Sequence, residues 1–408
     1  MYYAVAMMRP EANEDRSRDP NDLPYEGLVV VDLSQGVAGP HCGMLFALNG
    51  ADVIKVEPPA GDWGRSIGRR YGDFSAYGVA FNRGKRSVAI DIKSPEGREL
   101  AARLLARADV VIENNRPGVL ARLGLGYEQV RAANPSVVYV SVTGFGQDGP
   151  NRDLPATDSI LQAYSGLMSA NRDTAGMPQR IGVLVIDVVT GLYACQAAAT
   201  ALYRRATRGG GRHVTVSLMD AIGAVQAGKM IEFHLEGDHG QPGGVPVATY
   251  ETADGYMTIN ARRDPHFVAL CQVLGLPDLA TDPRFATAPA RLVHEAELMP
   301  LLRERVKARS MANLAAALTA ADVLHAPVND YRRYLDDAHV VETGAVTWIE
   351  HPQVGCIPLH RIPGLPTKAA SPPSPAIGEH THEILAEIGL APSAIDALVA
   401  AGVVRGAA

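Results

Sequence analysis

Five short runs of mostly β-branched residues shape the first third of the chain: LVVVDLS (Leu28–Ser34), DVIKVE (Asp52–Glu57), SVAIDI (Ser87–Ile92), DVVIE (Asp109–Glu113) and VVYVSV (Val137–Val142). Each is close to continuously apolar, the pattern of a strand covered on both faces. The segments between them read as helices. One runs over small residues from Gly39 to about Asn49, and another opens at Ser94-Pro95, where Ser can cap and Pro suits the first helical position. The alternation predicts an α/β fold with a parallel sheet wrapped by helices. The turn after the first run, GVAGPHCG, is not GxGxxG, and Gly124 and Gly126 lie in a helix-turn context, so a dinucleotide fingerprint is absent.

A chain of 408 residues exceeds one simple core. Residues 1–25 read as a flexible N-terminal arm whose opening MYYAVAMM is too short for a secretion signal. Residues 26–236 form the first part of a large domain. EGDHGQPGGVPV (Glu236–Val247) holds six Gly or Pro in twelve residues and marks a glycine-rich linker at 237–247. A small α+β domain follows at 248–326, with a strand at Tyr256–Asn260 and three helices. Residues 327–408 return to the large domain, through a stretch with six prolines between Pro358 and Pro375 that reads as an extended tether.

Composition narrows the function. Lys plus Arg number 38 against 44 Asp plus Glu, a net charge of −6, which offers no general basic surface to nucleic acid. Four scattered cysteines without a CxxC pair fit a reduced, cytoplasmic setting. The longest apolar run, Val188–Tyr203, contains Gln196 and falls short of the ~20 residues of a spanning helix, so it reads as a buried helix and no membrane is implied.

The richest stretch for chemistry is RIGVLVIDVVTGLYACQAAATALYRR (Arg180–Arg205). Here an apolar strand is predicted to run into Asp187 and a long helix to leave it, placing the carboxylate at a helix N-terminus that keeps it ionised. Such a residue is either a nucleophile or a plain N-cap. His380 and His382 form HxH without a third ligand at metal spacing, and they read as structural. His41-Cys42 reads as packing. The pairs Arg69-Arg70 and Arg262-Arg263 are either solvated or a clamp for the second carboxylate of a dicarboxylic substrate.

Taken in order, GLVVVDLSQGVAGPHCGMLFALNGADVIKVEPPAGD (Gly27–Asp62), NRGKRSVAIDIKSPEGREL (Asn82–Leu100), ADVVIENNRPGVLARLGLGY (Ala108–Tyr127), VTGFGQDGP (Val142–Pro150), VTVSLMDA (Val214–Ala221) and AIGEHTHEILAEIGL (Ala376–Leu390) resemble the class III coenzyme A transferases. That family holds formyl-CoA transferase, carnitine CoA-transferase and, as a divergent branch, α-methylacyl-CoA racemase. The resemblance implies a Rossmann-like large domain with a parallel sheet, a smaller inserted α+β domain and an interlocked homodimer. It implies reversible CoA transfer between an acyl-CoA and a free carboxylic acid, with the CoA thioester as substrate and no tightly bound cofactor or metal.

The family's nucleophilic aspartate falls on Asp187, where it would form mixed anhydrides and an aspartyl-CoA thioester. Asp158, in DLPATDSILQAYSGLM (Asp153–Met168), resembles an assisting acid; the alternative is a cap working through Gln162 and Tyr164. By the same resemblance Val37 and Ala38 flank the thioester through their backbone. Ile90 and Lys93 lie near the adenine and phosphates, and Asn114, Asn115, Arg122 and Leu123 line the nucleotide side. Arg116 is an added candidate. Pro58 stands where several members carry an arginine, with Lys85 and Arg86 as possible substitutes. Gly243-Gly244 is a candidate for the family's active-site glycine loop or an ordinary hinge. Thr157 replaces the histidine of the racemase branch, which argues against the alternative of an acyl-CoA racemase or epimerase using Asp187 as base. A non-catalytic CoA-binding protein is the remaining rival.

Overall fold

The computed structural model describes residues 23–173, 175–237, 243–365 and 372–406. In chain order its strands are β1 (Val29–Asp32), β2 (Asp52–Glu57), a tiny hairpin of β3 (Arg70–Tyr71) and β4 (Phe74–Ser75), β5 (Arg86–Ile90), β6 (Val110–Glu113), β7 (Val138–Thr143) and β8 (Arg212–Ser217). There follow β9 (Val247–Thr252), β10 (Gly255–Asn260), β11 (Leu324–Pro327), β12 (Val346–His351), β13 (Gly355–His360) and β14 (Val404–Arg405).

The chain divides into two compact units, Met1–Ala227 with Val346–Ala408, and Gly228–Ala345. The sequence boundaries at 248 and 326 are therefore corrected outward. Val245 is buried in the smaller unit's core, so the residues just before 248 are packed rather than linking. Beyond 326, the helices Tyr331–Leu335 and Ala338–Glu342 also lie in the smaller unit.

In the larger unit one seven-stranded sheet has the order β14-β5-β2-β1-β6-β7-β8. Every pairing is parallel except β14, which closes the edge antiparallel to β5. Alternating strand residues feed two opposite cores. Val31, Ile54, Val88, Val111 and Tyr139 pack under the helix Pro95–Leu105 and the C-terminal helices, while Val30, Val53, Val110, Val138 and Val140 pack under Ala38–Leu48 and Val185–Arg208. Ser94 caps Pro95–Leu105, accepting from the Gly97 N–H. The strand order reverses at β1, so the crevice above the carboxyl ends of β1 and β6 is the switch point where open α/β sheets bind ligands.

Several expectations are corrected. The end of the expected arm is docked: the Tyr25 ring lies 4.8 Å from Phe46 and its N–H bonds the Asn49 carbonyl, while most of the arm, 1–22, lies outside the described residues. The proline-rich stretch is not simply extended, because Gly355–His360 pairs with β12, and the carbonyls of Pro373 and Pro375 accept from Gly84 and Arg65. Residues 180–184 form no strand. The helix begins at Val185, with Asp187 its third residue. Nor is that 24-residue helix wholly buried. It is long and apolar enough to cross a membrane, yet Ile186, Gly191, Ala194, Ala198 and Ala201 pack in the unit's interior while Leu192, Tyr193 and Tyr203 stay exposed.

The smaller unit has an antiparallel sheet, β11-β10-β9, against the helices Asp264–Leu274, Glu295–Lys307 and Met311–Ala320. Its buried Arg291 donates to the carbonyls of Val245 and Arg262, and Arg262 in turn reaches the Gly243 carbonyl at 3.4 Å.

Candidate active site

Two loops meet at the switch point. The loop after β1 carries Gln35 and Val37 and leads into the helix at Ala38, and the one after β6 carries Asn114, Asn115 and Arg116. The Asn114 side chain ties them together: its carbonyl oxygen accepts from the Gln35 N–H at 2.8 Å and its amide donates to the Gln35 carbonyl at 2.6 Å. Its polar atoms are thus engaged in holding the first loop, a role the sequence did not reveal.

Beneath that loop lies a set of buried charges. Lys55 Nζ contacts Asp62 Oδ2 at 2.8 Å and donates to the Ser34 carbonyl at 2.9 Å. Lys85 pairs with Asp32 at 2.8 Å, and Arg65 with Glu57 at 2.8 Å. Charges this deep persist only when paired and hydrogen-bonded, and the loop backbone is held by Lys55 at the Ser34 carbonyl, by Asp32 at the Ser34 N–H and by Asp62 at the Gly36 N–H. Lys85 also donates to the carbonyl of Pro40 and to Asn82, while Arg86 is held by Asp52, Glu383 and Glu387. Both are therefore corrected from phosphate ligands to structural cations.

Asp187 opens into a cleft lined also by Gln35, Val37, Ala38, Trp63, Asn114 and Thr157. It is not the helix N-cap. The buried Asp158 performs that task from 29 positions earlier, its Oδ2 accepting from the N–H groups of Ile186 at 2.8 Å and Asp187 at 3.3 Å. Its Oδ1 accepts from Gln162 at 2.6 Å, whereas Tyr164 bonds Asn151 instead. This leaves the Asp187 carboxyl without a capping duty. Burial, with the charge of Asp158 behind it, pushes that carboxyl up to about 7, so the expectation that the helix terminus keeps it firmly ionised is corrected.

The cleft continues into a second that shares Gln35, Trp63, Asn114, Thr143, Gly144 and Ala156 and adds Asn115, Arg116 and Arg152. Val37, Ala38, Asn114, Asn115, Arg116 and Asp187 are thus brought together. Ile90 is not: its side chain is packed in the core between sheet and helices. Lys93 and Arg122 are exposed, Leu123 packs against the same core, and none of the three borders either cleft. The sequence reading missed Trp63 and Arg152. The position of Arg152 just after VTGFGQDGP, in the loop leaving β7, is the signal that would have found it.

The remaining candidates have local roles. His41 donates from Nδ1 to the Val188 carbonyl at 3.0 Å, and burial pulls its imidazole down to about 4. His380 accepts from the Ser87 N–H, and His382 faces Asp396 at 3.5 Å. Arg69 lies over the Tyr71 ring and Arg70 reaches the Gly72 carbonyl, while Gly243, Gly244, Arg262 and Arg263 belong to the smaller unit.

Comparison with known proteins adds the family. The model of CoA-transferase family III matches residues 25–381. A succinate–glutarate CoA-transferase from Agrobacterium fabrum is 36% identical over 382 residues, 90% of this chain and 96% of that protein. A succinyl-CoA–D-citramalate CoA-transferase from Chloroflexus aurantiacus is 34% identical over 379 residues, 90% of this chain and 94% of that one. Among solved structures, a CaiB/BaiF family protein from Brucella suis superposes with a TM-score of 0.81 at 37% identity, covering 90% of this chain and all of that one.

Proposed function

This chain belongs to CoA-transferase family III and is an enzyme of that class, and on that premise we propose that it moves CoA reversibly from an acyl-CoA to a free dicarboxylic acid with Asp187 as nucleophile. The observation that carries the assignment is the freed carboxyl of Asp187 in the switch-point cleft, its helix capped by Asp158 instead. The dicarboxylate class is supported by the relatives, named for succinate, glutarate and citramalate.

In the first half-reaction a carboxylate oxygen of Asp187 attacks the thioester carbonyl, the C–S bond breaks, and CoA leaves as thiolate from a mixed anhydride. The thiolate then attacks the Asp187 carboxyl carbon and expels the donor acid, leaving an aspartyl-CoA thioester. The acceptor carboxylate attacks that thioester, and the released thiolate attacks the acceptor's carbonyl in the new anhydride, freeing Asp187. One thioester replaces another and no net proton moves, so the exchange is nearly balanced. Each addition creates an oxyanion, and the helix Ala38–Leu48 begins at the cleft, where its first N–H groups lack helical acceptors.

Arg116 and Arg152 supply the cations for the CoA phosphates, beside Asn115, in a cleft that neither the buried Lys85 nor the ion-paired Arg86 lines. Exposed Lys93 and Arg122 are assigned to the nucleotide end of CoA. We place the reaction in the cytoplasm, where CoA is kept as thiol. The interlocked homodimer is supported by the helix Ala227–Glu236, which buries none of its residues and exposes Met230, Ile231, Phe233 and Leu235. A racemase is disfavoured because Thr157 borders the cleft and no histidine does so among the described residues.

The test is isotope exchange. Labelled glutarate incubated with succinyl-CoA and enzyme should yield labelled glutaryl-CoA, and hydroxylamine during turnover should convert Asp187 to a hydroxamate detectable by peptide mass. Thioester that stays unlabelled across a panel of dicarboxylic acids, or α-proton exchange in deuterated water without any acceptor, rejects the assignment.

A further inference from the structure

Trp63 follows directly on buried Asp62 and opens a short 3₁₀ turn, Trp63–Ser66. The residue is 52% exposed and lines both clefts, the one that holds Asp187 and the one that holds Arg116 and Arg152. An aromatic ring in that place is held, not loose. Gly36 has φ +83°, and a Cβ there would lie 2.2 Å from the Trp63 ring, so the ring is seated against the bare backbone of the β1 loop. Gly64 approaches equally closely, since its Cβ would stand 2.6 Å from the Gly36 carbonyl oxygen.

One carboxylate fixes both backbones. Asp62 Oδ1 accepts from the Gly36 N–H at 2.8 Å and the Gly64 N–H at 2.7 Å, while its Oδ2 meets Lys55 at 2.8 Å. The platform is therefore assembled before any ligand arrives, which reduces the ordering loss on binding. In CoA, the segment that joins a sulfur at the carboxylate to phosphates at the arginines is the pantetheine arm, a chain of amides and methylenes. Such a chain gains from lying along an aromatic face.

We propose that the exposed face of the Trp63 indole is the platform for the pantetheine arm of CoA, an inference that rests on the CoA-transfer reading above. The chain has two tryptophans, Trp63 and Trp348, and Trp348 lies on β12 away from either cleft lining. In a full-length Trp348→Phe protein, Trp63 is the single indole reporter. Saturating CoA and 4′-phosphopantetheine should each reduce its acrylamide quenching constant about twofold, as expected when a half-exposed ring is covered, while adenosine 3′,5′-bisphosphate should leave it unchanged.

Calorimetry on the same protein measures whether CoA binds at all. Binding without protection of the indole overturns the platform and leaves CoA transfer standing, as does full protection by the bisphosphate alone. Absence of CoA binding overturns the functional reading and the platform with it. In kinetics, Trp63→Ala should raise KM for acyl-CoA about tenfold with kcat changed far less, the pattern of lost uniform binding, and Trp63→Phe should restore most of it. An unaltered KM in a folded Trp63→Ala protein refutes the inference.

Discussion

Replacing Asp187 with Asn should abolish transfer and at the same time stabilise the protein, but only where the parent carboxyl is charged. The fold pushes that carboxyl from the ordinary 3.8 to about 7, through burial first and the charge of Asp158 second. Between those values the native protein keeps a proton that the unfolded chain has released, so stability falls as pH rises from about 4 to about 7. The displacement from 3.8 to about 7, at about 1.4 kcal/mol per pH unit, sets an upper figure of about 4 kcal/mol above pH 7. Asn resembles the protonated acid in shape and carries no charge, so the variant escapes this cost. At roughly 2 °C per kcal/mol for a unit of this size, Asp187→Asn should melt about 8 °C higher than the parent at pH 8.5 and nearly together with it at pH 4. Thermal scans across that range check it. Parallel Tm curves for the two proteins, or a variant that is the weaker at pH 8.5, would refute the reasoning.

Further outcomes follow from the same geometry. Parent kcat/KM for acyl-CoA should rise with pH through about 7 as Asp187 ionises, and Asp158→Asn should move that limb to lower pH by removing the neighbouring charge. The same change sets an amide group where a carboxylate accepts from Gln162, Ile186 and Asp187, at a loss of about 1–3 kcal/mol readable by denaturation. Lys55→Met should destabilise by about 3–5 kcal/mol, because Asp62 is left charged and buried without its cation; a loss under 1 kcal/mol in urea melts would show the pair to be dispensable. Gly191→Ala gains about 1 kcal/mol of helix propensity, yet its Cβ would stand 2.7 Å from the Ala38 carbonyl and from His41 Nδ1. Overpacking of about 1–3 kcal/mol should win, lowering both Tm and activity, since Ala38 borders the cleft.

The sheet was legible in the sequence because its signal is local. DVIKVE occupies β2 end to end, and Ser94-Pro95 starts a helix where cap and proline say it should. Periodicity carries that information within a few residues, and the sides on which alternate residues are buried follow from it. The resemblance named Asp187, Val37, Ala38 and Asn114, and the folded chain gathers all four around one cleft. Ile90 shows where residue-by-residue transfer stops working: a strand position next to a binding loop can be pure core.

What escaped the sequence shares one cause, which is that the decisive partner is far away along the chain. RIGVLVID looks like a strand entering a turn because Val and Ile favour strands, yet no strand pairs there, and Val185 and Ile186 are the first residues of a helix. What permits that start is Asp158, whose carboxylate takes the N–H groups of Ile186 and Asp187 and lets the helix begin without a cap of its own. No window around Asp187 contains this information. The same displacement argues against the cap and supports the reactive role proposed above: an aspartate in a first helical turn is ordinarily accounted for by the N–H groups beside it, and here those groups are already engaged. The carboxyl that raises the energy of its own ionised form is thus left facing the cleft, and the residue that frees it is also one that makes its charge less favourable. The two aspartates thus hold different positions, Asp158 at the helix N-terminus and Asp187 at the cleft, and sequence spacing alone does not tell them apart.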